Sequence, residues 1–599
     1  MMNLHNFHIP VMGIGFTIDT PLKVAPFGID SVISLVDDML IEKIRKFYCE
    51  KEGIAYSEIT EKHEDFRASR ITSYLNMIND LVKKKFQELK NTTNGLKKEL
   101  VEYINMLPNY SDLKLEFEKF IKNGVNLKEI GKMLSDKLQL GSINVNIMTK
   151  ADRENYINKE KLGYEYNDAH SALRGFANSD LNSSIVFSSG MNPSLFNYLP
   201  NFEDFYPNQK GEFKKTIILK VSDFRSASIQ GKYLAKKGMW VSEFRIESGL
   251  NCGGHAFPTD GLLMGPILDE FKNHIIELSN EMYALLTKAL TNKNKVIPEK
   301  MPNLRITAQG GVGTNEEQNF LLEHYNLDSV GWGTPFLLVP EIVNVDAHTL
   351  QQLIDAKEDD LYLSDISPLG VQFNSLKGNT KDIEKEEHIA KNRPGSSCPK
   401  KYVSLNKEFG DYAICTASRV YQYKKINELE NMNLPQLDFQ ARYNKIVEKS
   451  CICVGLGTSA LLVNGLDTKV EGDGVSICPG PNMAYFNKKL TLKEMVDHIY
   501  GRADVIERQD RPNLFIKELS LYFNYLVNQV KEKKQQLSFQ NVNYLEKFCK
   551  NLQSGIDYYK NLFSSITEYF ANTKAGILNE LNEKSSLISA LLKDLHTEK

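Results

Sequence analysis

Short apolar runs, each closed by glycine or polar turn residues, alternate along this chain with longer stretches whose apolar positions recur at helical spacing. Runs at 143–148, 184–187, 215–221 and 240–246 read as strands, and helix-compatible or loop segments separate them. Apolar strands divided by helices are what a parallel sheet covered on both faces requires. Val11-Met12-Gly13-Ile14-Gly15-Phe16-Thr17-Ile18 reads as the opening buried strand, ending near Asp19-Thr20-Pro21. Two later runs, 304–308 and 327–330, each lead into a glycine-bearing turn, Gln309-Gly310-Gly311-Val312-Gly313-Thr314 and Gly331-Trp332-Gly333-Thr334-Pro335-Phe336. The stretch 316–325 between them predicts a helix with Phe320, Leu321 and Leu322 as its apolar contacts and Thr314 or Asn315 as its N-cap.

The texture changes twice. From 57 to about 140 the chain is rich in Lys and Glu, and Ile71, Leu75, Ile78, Leu81, Val82, Phe86 and Leu89 fall at helical spacing, which predicts a helical insertion. After about 366 the pattern is irregular, and five of the eight cysteines fall between Cys398 and Cys478. Beyond Pro512 there is no proline, and Leu519, Tyr522, Phe523, Leu526 and Val530 mark one apolar stripe, packed on the body of the protein or on a second subunit. The expected fold is α/β: a (β/α)8 TIM barrel made of 1–56 and 141–366, with a helical insertion at 57–140 after its first strand, an appended cysteine-containing domain at 367–511, and a helical C-terminal extension at 512–599 that could also join copies of the chain as a homo-oligomer.

Composition bounds the function. With 599 residues, 42% of them hydrophobic, the chain can bury a large core and exceeds one ordinary domain. A net charge of −3 gives no overall attraction to nucleic acid or to anionic lipid. No window approaches the ~20 apolar residues needed to span a bilayer, and 1–19 lacks a basic segment followed by an apolar core, so a cytoplasmic protein is expected. Eight cysteines in so long a chain are too sparse for a disulfide scaffold and read as reduced thiols or metal ligands.

Several residues carry candidate chemistry. The paired glycine turns lie one helix apart, as do the loops after strands seven and eight of a barrel, where backbone N–H groups bind phosphate; a phosphorylated ligand is therefore expected there. The run 241–246 leads to Glu247-Ser248-Gly249-Leu250-Asn251-Cys252-Gly253-Gly254-His255 at a catalytic strand end. At its ordinary pKa of about 6.5, His255 would exchange a proton near neutrality; the alternative is a histidine that only braces a turn. Lys220 is a charge inside the otherwise apolar run 215–221, facing something anionic or paired with a carboxylate such as Asp223. Cys252 is either a second acid or nucleophile, or a small buried apolar group.

The order strand, Gly253-Gly254-His255, strand, Gly310-Gly311, strand, Gly333-Thr334 resembles the FMN-dependent barrels of the nitronate monooxygenase and enoyl-acyl-carrier-protein reductase II family. Val145-Asn146-Ile147 is similar to an early strand end of that family whose asparagine contacts the flavin. The resemblance implies FMN held by Asn146, Gly310, Gly311, Gly333 and Thr334, and Gly313 of the first glycine turn is a further candidate for the same cofactor. It further implies that His255 moves a proton to or from a small or acyl substrate; a reduced flavin would be an anion of the kind that Lys220 needs, with the ammonium toward the pyrimidine side of the ring. It spans roughly 10–345, the insertion excepted. The chain departs from the pattern in having Asn251-Cys252 where Glu-Ala commonly precedes Gly-Gly-His, and in lacking an Ala-Pro-Met turn after its first strand. NAD(P)H, oxygen and a partner protein all remain open as the redox partner.

Cys398, Cys415, Cys451, Cys453 and Cys478 form a second constellation of candidate ligands for an iron–sulfur cluster or a metal, although only Cys451-Ile452-Cys453 is closely spaced. An electron-transferring flavin and iron–sulfur protein of the glutamate-synthase kind is thus one alternative, and a non-catalytic barrel serving assembly is another. The segment 453–460 matches G-x-G-x-x-A, which reads as a glycine-permitted loop packed on the barrel rather than as a second nucleotide site.

Overall fold

Eight parallel strands close into a barrel in the computed structural model, which describes residues 4–91, 98–188, 190–508, 510–533 and 539–597. In chain order they are β1 (Phe7–Ile9), β2 (Asp30–Ser34), β3 (Ile143–Ile147), β4 (Ser183–Phe187), β5 (Lys215–Val221), β6 (Val241–Glu247), β7 (Arg305–Gln309) and β8 (Ser329–Gly331). Each pairs with its chain neighbours, and Phe7 opposite Val330 closes the ring. This is the TIM-barrel arrangement. Alternation decides which side chains face inward. Val32, Val186 and Ile218 form a small apolar layer inside the barrel with Val11, whereas Ile33, Val145, Ile185 and Leu219 belong to the large core.

The first two strands differ from the sequence expectation. Residues 11–18 form turns beyond β1 rather than a strand, and their apolar side chains pack under the helix Ile452–Val463, where Gly15 N donates to Leu456 O at 2.9 Å. The strand itself lies a few residues earlier and carries an inward His8, bonded to Ser329 Oγ at 3.0 Å, which interrupts its apolar run. β2 also carries polar residues, Asp30, Ser31 and Ser34, which break the apolar run that marks the later strands. The helical insertion therefore follows the second strand, not the first. Its helix Phe66–Lys90 packs on Asp38–Glu52 and Asp168–Ala177 against the barrel. The shorter helices Lys98–Met106, Asp112–Lys122 and Leu127–Ser135 share a separate apolar cluster with Phe86 and Leu89.

After the barrel, β9 (Leu361–Ser364) and β10 (Phe373–Leu376) form an antiparallel hairpin over the mouth. The 453–460 glycine motif lies inside the helix Ile452–Val463 and not in a loop, which removes the strand-to-helix turn that a pyrophosphate would need. Its glycines permit close approach instead: a Cβ on Gly455 would stand 2.3 Å from Ser476 Oγ, and one on Gly15 would stand 3.0 Å from the Gly457 backbone. The terminal helices Leu514–Lys533, Phe539–Ser565 and Lys574–Thr597 pack on each other and on Met264–Asn292. Leu519, Tyr522 and Leu526 are buried, so the predicted stripe faces the body of the same chain. Among the described residues no single helix is long and apolar enough to cross a membrane.

Candidate active site

The inward alternation brings residues at or next to the C-terminal ends of the strands to the mouth, where Ser34, Asn146, Ser188, Lys220, Glu247 and Gln309 line one cavity of about 460 Å³. The glycine turns after β7 and β8 reach the same cavity through Gly310, Gly311, Gly333 and Thr334. Gly310 and Gly311 have φ of +122° and +80°, which disfavours a side chain at either position. Packing adds to this: a Cβ on Gly310 would meet Cys252 Sγ at 2.8 Å, and one on Gly311 would meet the Asn251 amide at 2.0 Å. These glycines serve the fit of the 248–252 loop as well as any ligand.

Gly313 does not join them. Its N–H donates to Glu317 Oε2 at 2.9 Å, and the Arg511 guanidinium lies behind it, paired with Glu317 at 2.8 Å and donating to Gly311 O at 2.8 Å. A carboxylate four residues downstream thus takes the N–H that the sequence offered to a phosphate. Thr314 caps the next helix, accepting from Glu317 N, as expected.

Lys220 pairs with Glu247 at 2.9 Å across neighbouring strand ends, and Glu247 also accepts from Gln309 Nε2. Asp223, the partner considered from sequence, caps the helix Phe224–Lys236 instead. A carboxylate on the adjacent strand cannot be recognised from local sequence, because register alone puts it there. Asn146 is 6% exposed, and its Oδ1 has no hydrogen-bond partner. A buried, unpaired acceptor at a largely apolar cavity is costly unless a ligand satisfies it.

His255 is held by the segment that follows the barrel. Ala256 N donates to Gln372 O at 2.9 Å and Asn374 N donates to Gly254 O at 2.9 Å, so the loop forms a short bridge to β10. The Asn374 amide also donates to Cys252 O at 2.9 Å. The His255 ring packs edge-on to Phe373 with centroids 4.9 Å apart, and its Nε2 lies 2.8 Å from Ser367 Oγ. Burial, with a smaller contribution from the Lys220 charge, lowers its pKa from 6.5 to about 4. The expectation of a proton exchanged near neutrality is corrected: the imidazole is uncharged at pH 7. Cys252 donates its S–H to Gln309 O at 3.4 Å, and burial, reinforced by Glu247, pushes its thiol well above the usual range. It is a protonated hydrogen-bond donor that packs against the glycine turn, not a thiolate nucleophile.

The five clustered cysteines separate. Cys398, Cys451 and Cys453 bring their sulfurs within 4.8 Å of one another. Cys415 is buried and lies outside that trio, on a turn tied to the one that carries Cys398. Cys478 instead sits against the His255 loop, its carbonyl accepting from Gly254 N at 3.1 Å. Both Cys453 and Cys478 line the cavity. Ser367, Glu247 and Gln309 were absent from the sequence-derived site, since each acts through a partner distant in the chain.

Among solved structures, the chain is similar to FabK from Thermotoga maritima, with 13% identity and a TM-score of 0.30 over 63% of this chain and 80% of that one. It is also similar to the enoyl reductase domain of MlnA from the macrolactin biosynthesis cluster of Bacillus amyloliquefaciens, with 16% identity and a TM-score of 0.31 over 69% and 88%. Likeness at this level carries no functional argument, and the fold stands on the barrel's own register. No protein-family model matches the chain, and no curated protein does.

Proposed function

We propose that this chain is a flavin-dependent oxidoreductase that binds FMN and a small or acyl substrate at the barrel mouth. The observation that carries this reading is the buried, unpaired Asn146 Oδ1 in a cavity that also gathers Lys220, His255 and both glycine turns. A flavin's imide N–H is a donor suited to that lone acceptor. The Lys220 ammonium, balanced by Glu247, suits the electron-rich edge beside it. Gly310, Gly311, Gly333 and Thr334 would hold the phosphate through backbone N–H groups. Gly313 has no part in this, its N–H being already taken by Glu317.

When bound, the flavin would supply the hydride chemistry that side chains lack. The chain's own contribution is to orient, to keep out water and to manage one proton. His255, fixed between Ser367 and Phe373, presents a neutral imidazole to the cavity. In that state a ring N–H can hydrogen-bond an oxygen that gains negative charge, its proton staying on the ring, or the lone-pair nitrogen can accept a proton that the substrate gives up. The apolar lining from Met12, Ile14, Leu337 and Leu456 favours a substrate with a hydrocarbon portion.

The test is the absorbance spectrum of the native chain, followed by denaturation and identification of whatever is released. An oxidised-flavin spectrum and one FMN per chain are expected. A colourless protein that takes up no added FMN overturns the reading.

A further inference from the structure

Cys398 opens a turn in which a backbone N–H folds back onto its sulfur, and Cys415 opens the turn beside it. Lys401 N donates to Cys398 Sγ at 3.3 Å, while Ser418 N donates to the Cys415 carbonyl at 2.9 Å and closes the neighbouring turn. N–H groups aimed at a sulfur stabilise negative charge on it, as thiolates bound to a metal require. The two turns are tied together, with Ser396 N donating to Ala417 O at 3.0 Å and Arg419 N donating to Ser396 O at 3.1 Å. Cys451 is the N-cap of the helix Ile452–Val463, and Cys453 lies in its first turn. All four side chains are unoxidised and largely shielded from water.

From these contacts we propose that Cys398, Cys415, Cys451 and Cys453 form a mononuclear, tetrahedral four-thiolate site that binds zinc. Distance separates a single ion from a cluster. With zinc–sulfur bonds of about 2.3 Å, the ligands of one tetrahedral ion stand about 3.8 Å apart. The three sulfurs already within 4.8 Å need only a slight contraction to reach that spacing. An iron–sulfur cluster gives its thiolates to different irons and holds them farther apart. Cys478 has no part in the site, since it is committed to the His255 loop.

The role is structural, and it bears on the cavity. Lys400, next to Cys398, is buried in ion pairs with Asp37 at 2.5 Å and Glu471 at 3.2 Å, which lock the turn to the end of β2. Ile452 and Cys453 line the cavity. A metal at this point fixes the helix Ile452–Val463 over the barrel mouth and so sets the shape of the roof.

Elemental analysis of the full-length chain, purified under reducing conditions without added metal, is the first test. One zinc per chain is expected. Exchange with cobalt(II) should give thiolate-to-cobalt charge-transfer bands and the visible bands of a tetrahedral ion. Cys398→Ser and Cys451→Ser should lose the metal, while Cys478→Ser should keep it. Iron with acid-labile sulfide, a metal-free native chain whose thiols all titrate, or full zinc retention in the Cys398→Ser/Cys451→Ser double variant would each overturn the site. Should a variant fail to fold, the zinc content and cobalt spectrum of the unaltered chain decide the matter.

Discussion

Glu518, on the first helix of the C-terminal extension, is 1% exposed and joins that extension to the active-site loop. Its carboxyl accepts from Ser248 Oγ, from Met264 N at 2.9 Å and from Tyr559 OH at 3.4 Å. Burial outweighs these bonds and raises its pKa from 4.5 to about 7. At about 1.4 kcal/mol per tenfold, that displacement penalises the ionised form in the folded protein by about 3 kcal/mol. Because the folded value lies above the unfolded one, the carboxyl's contribution is fully present below pH 4.5 and is lost as pH rises through 7. Glu518→Gln keeps an acceptor for Met264 N–H and removes the charge. It should therefore stabilise the chain by up to about 3 kcal/mol at pH 8 and have little effect at pH 5. Urea unfolding of both forms across that range, followed by tyrosine fluorescence, measures the difference directly. The opposing effect of His5 and His255, both lowered to about 4 by burial, cancels in the comparison. A variant equally destabilised at both pH values would refute the reasoning, because geometry rather than ionisation would then be what Glu518 supplies.

Other outcomes follow from the same contacts. Asn146→Ala should weaken FMN binding by about tenfold, the worth of one buried hydrogen bond to a ligand, yet leave the unliganded chain's unfolding midpoint nearly unchanged because Oδ1 has no internal partner; parallel fluorescence titration and urea melts separate the two. His255→Ala should abolish turnover while the chromophore stays bound, and the acidic limb of the native rate profile should fall near pH 4 rather than 6.5. Gly310→Ala, with φ of +122° and Cys252 Sγ 2.8 Å from the new methyl group, should cost about 1–3 kcal/mol of stability by denaturant titration. Lys400→Met would leave Asp37 buried without its cation, while Glu471 keeps Lys43, and should destabilise by about 3–5 kcal/mol, read the same way.

Local sequence determined the elements whose signal is local. Apolar runs gave β3 to β8 because outward side chains pack on helices at every second position, and Thr314 announced the helix it caps. Gly253-Gly254-His255 and the paired glycine turns pointed to the barrel mouth, since turns after strands are written in consecutive residues. What failed was local by appearance only. The apolar run 11–18 owes its composition to a helix some 440 residues later, counted from Gly15 to Leu456, and β1 and β2 were hidden by inward polar groups whose partners are distant. The tertiary structure alone decided that Glu247 neutralises Lys220, that Glu317 occupies Gly313, that Ser367 and Phe373 fix His255, and that Cys398, Cys451 and Cys453 meet while Cys478 goes elsewhere. Pairing, burial and the resulting proton affinities depend on which surfaces the closed barrel brings together, and no window of the chain contains both halves of such a contact.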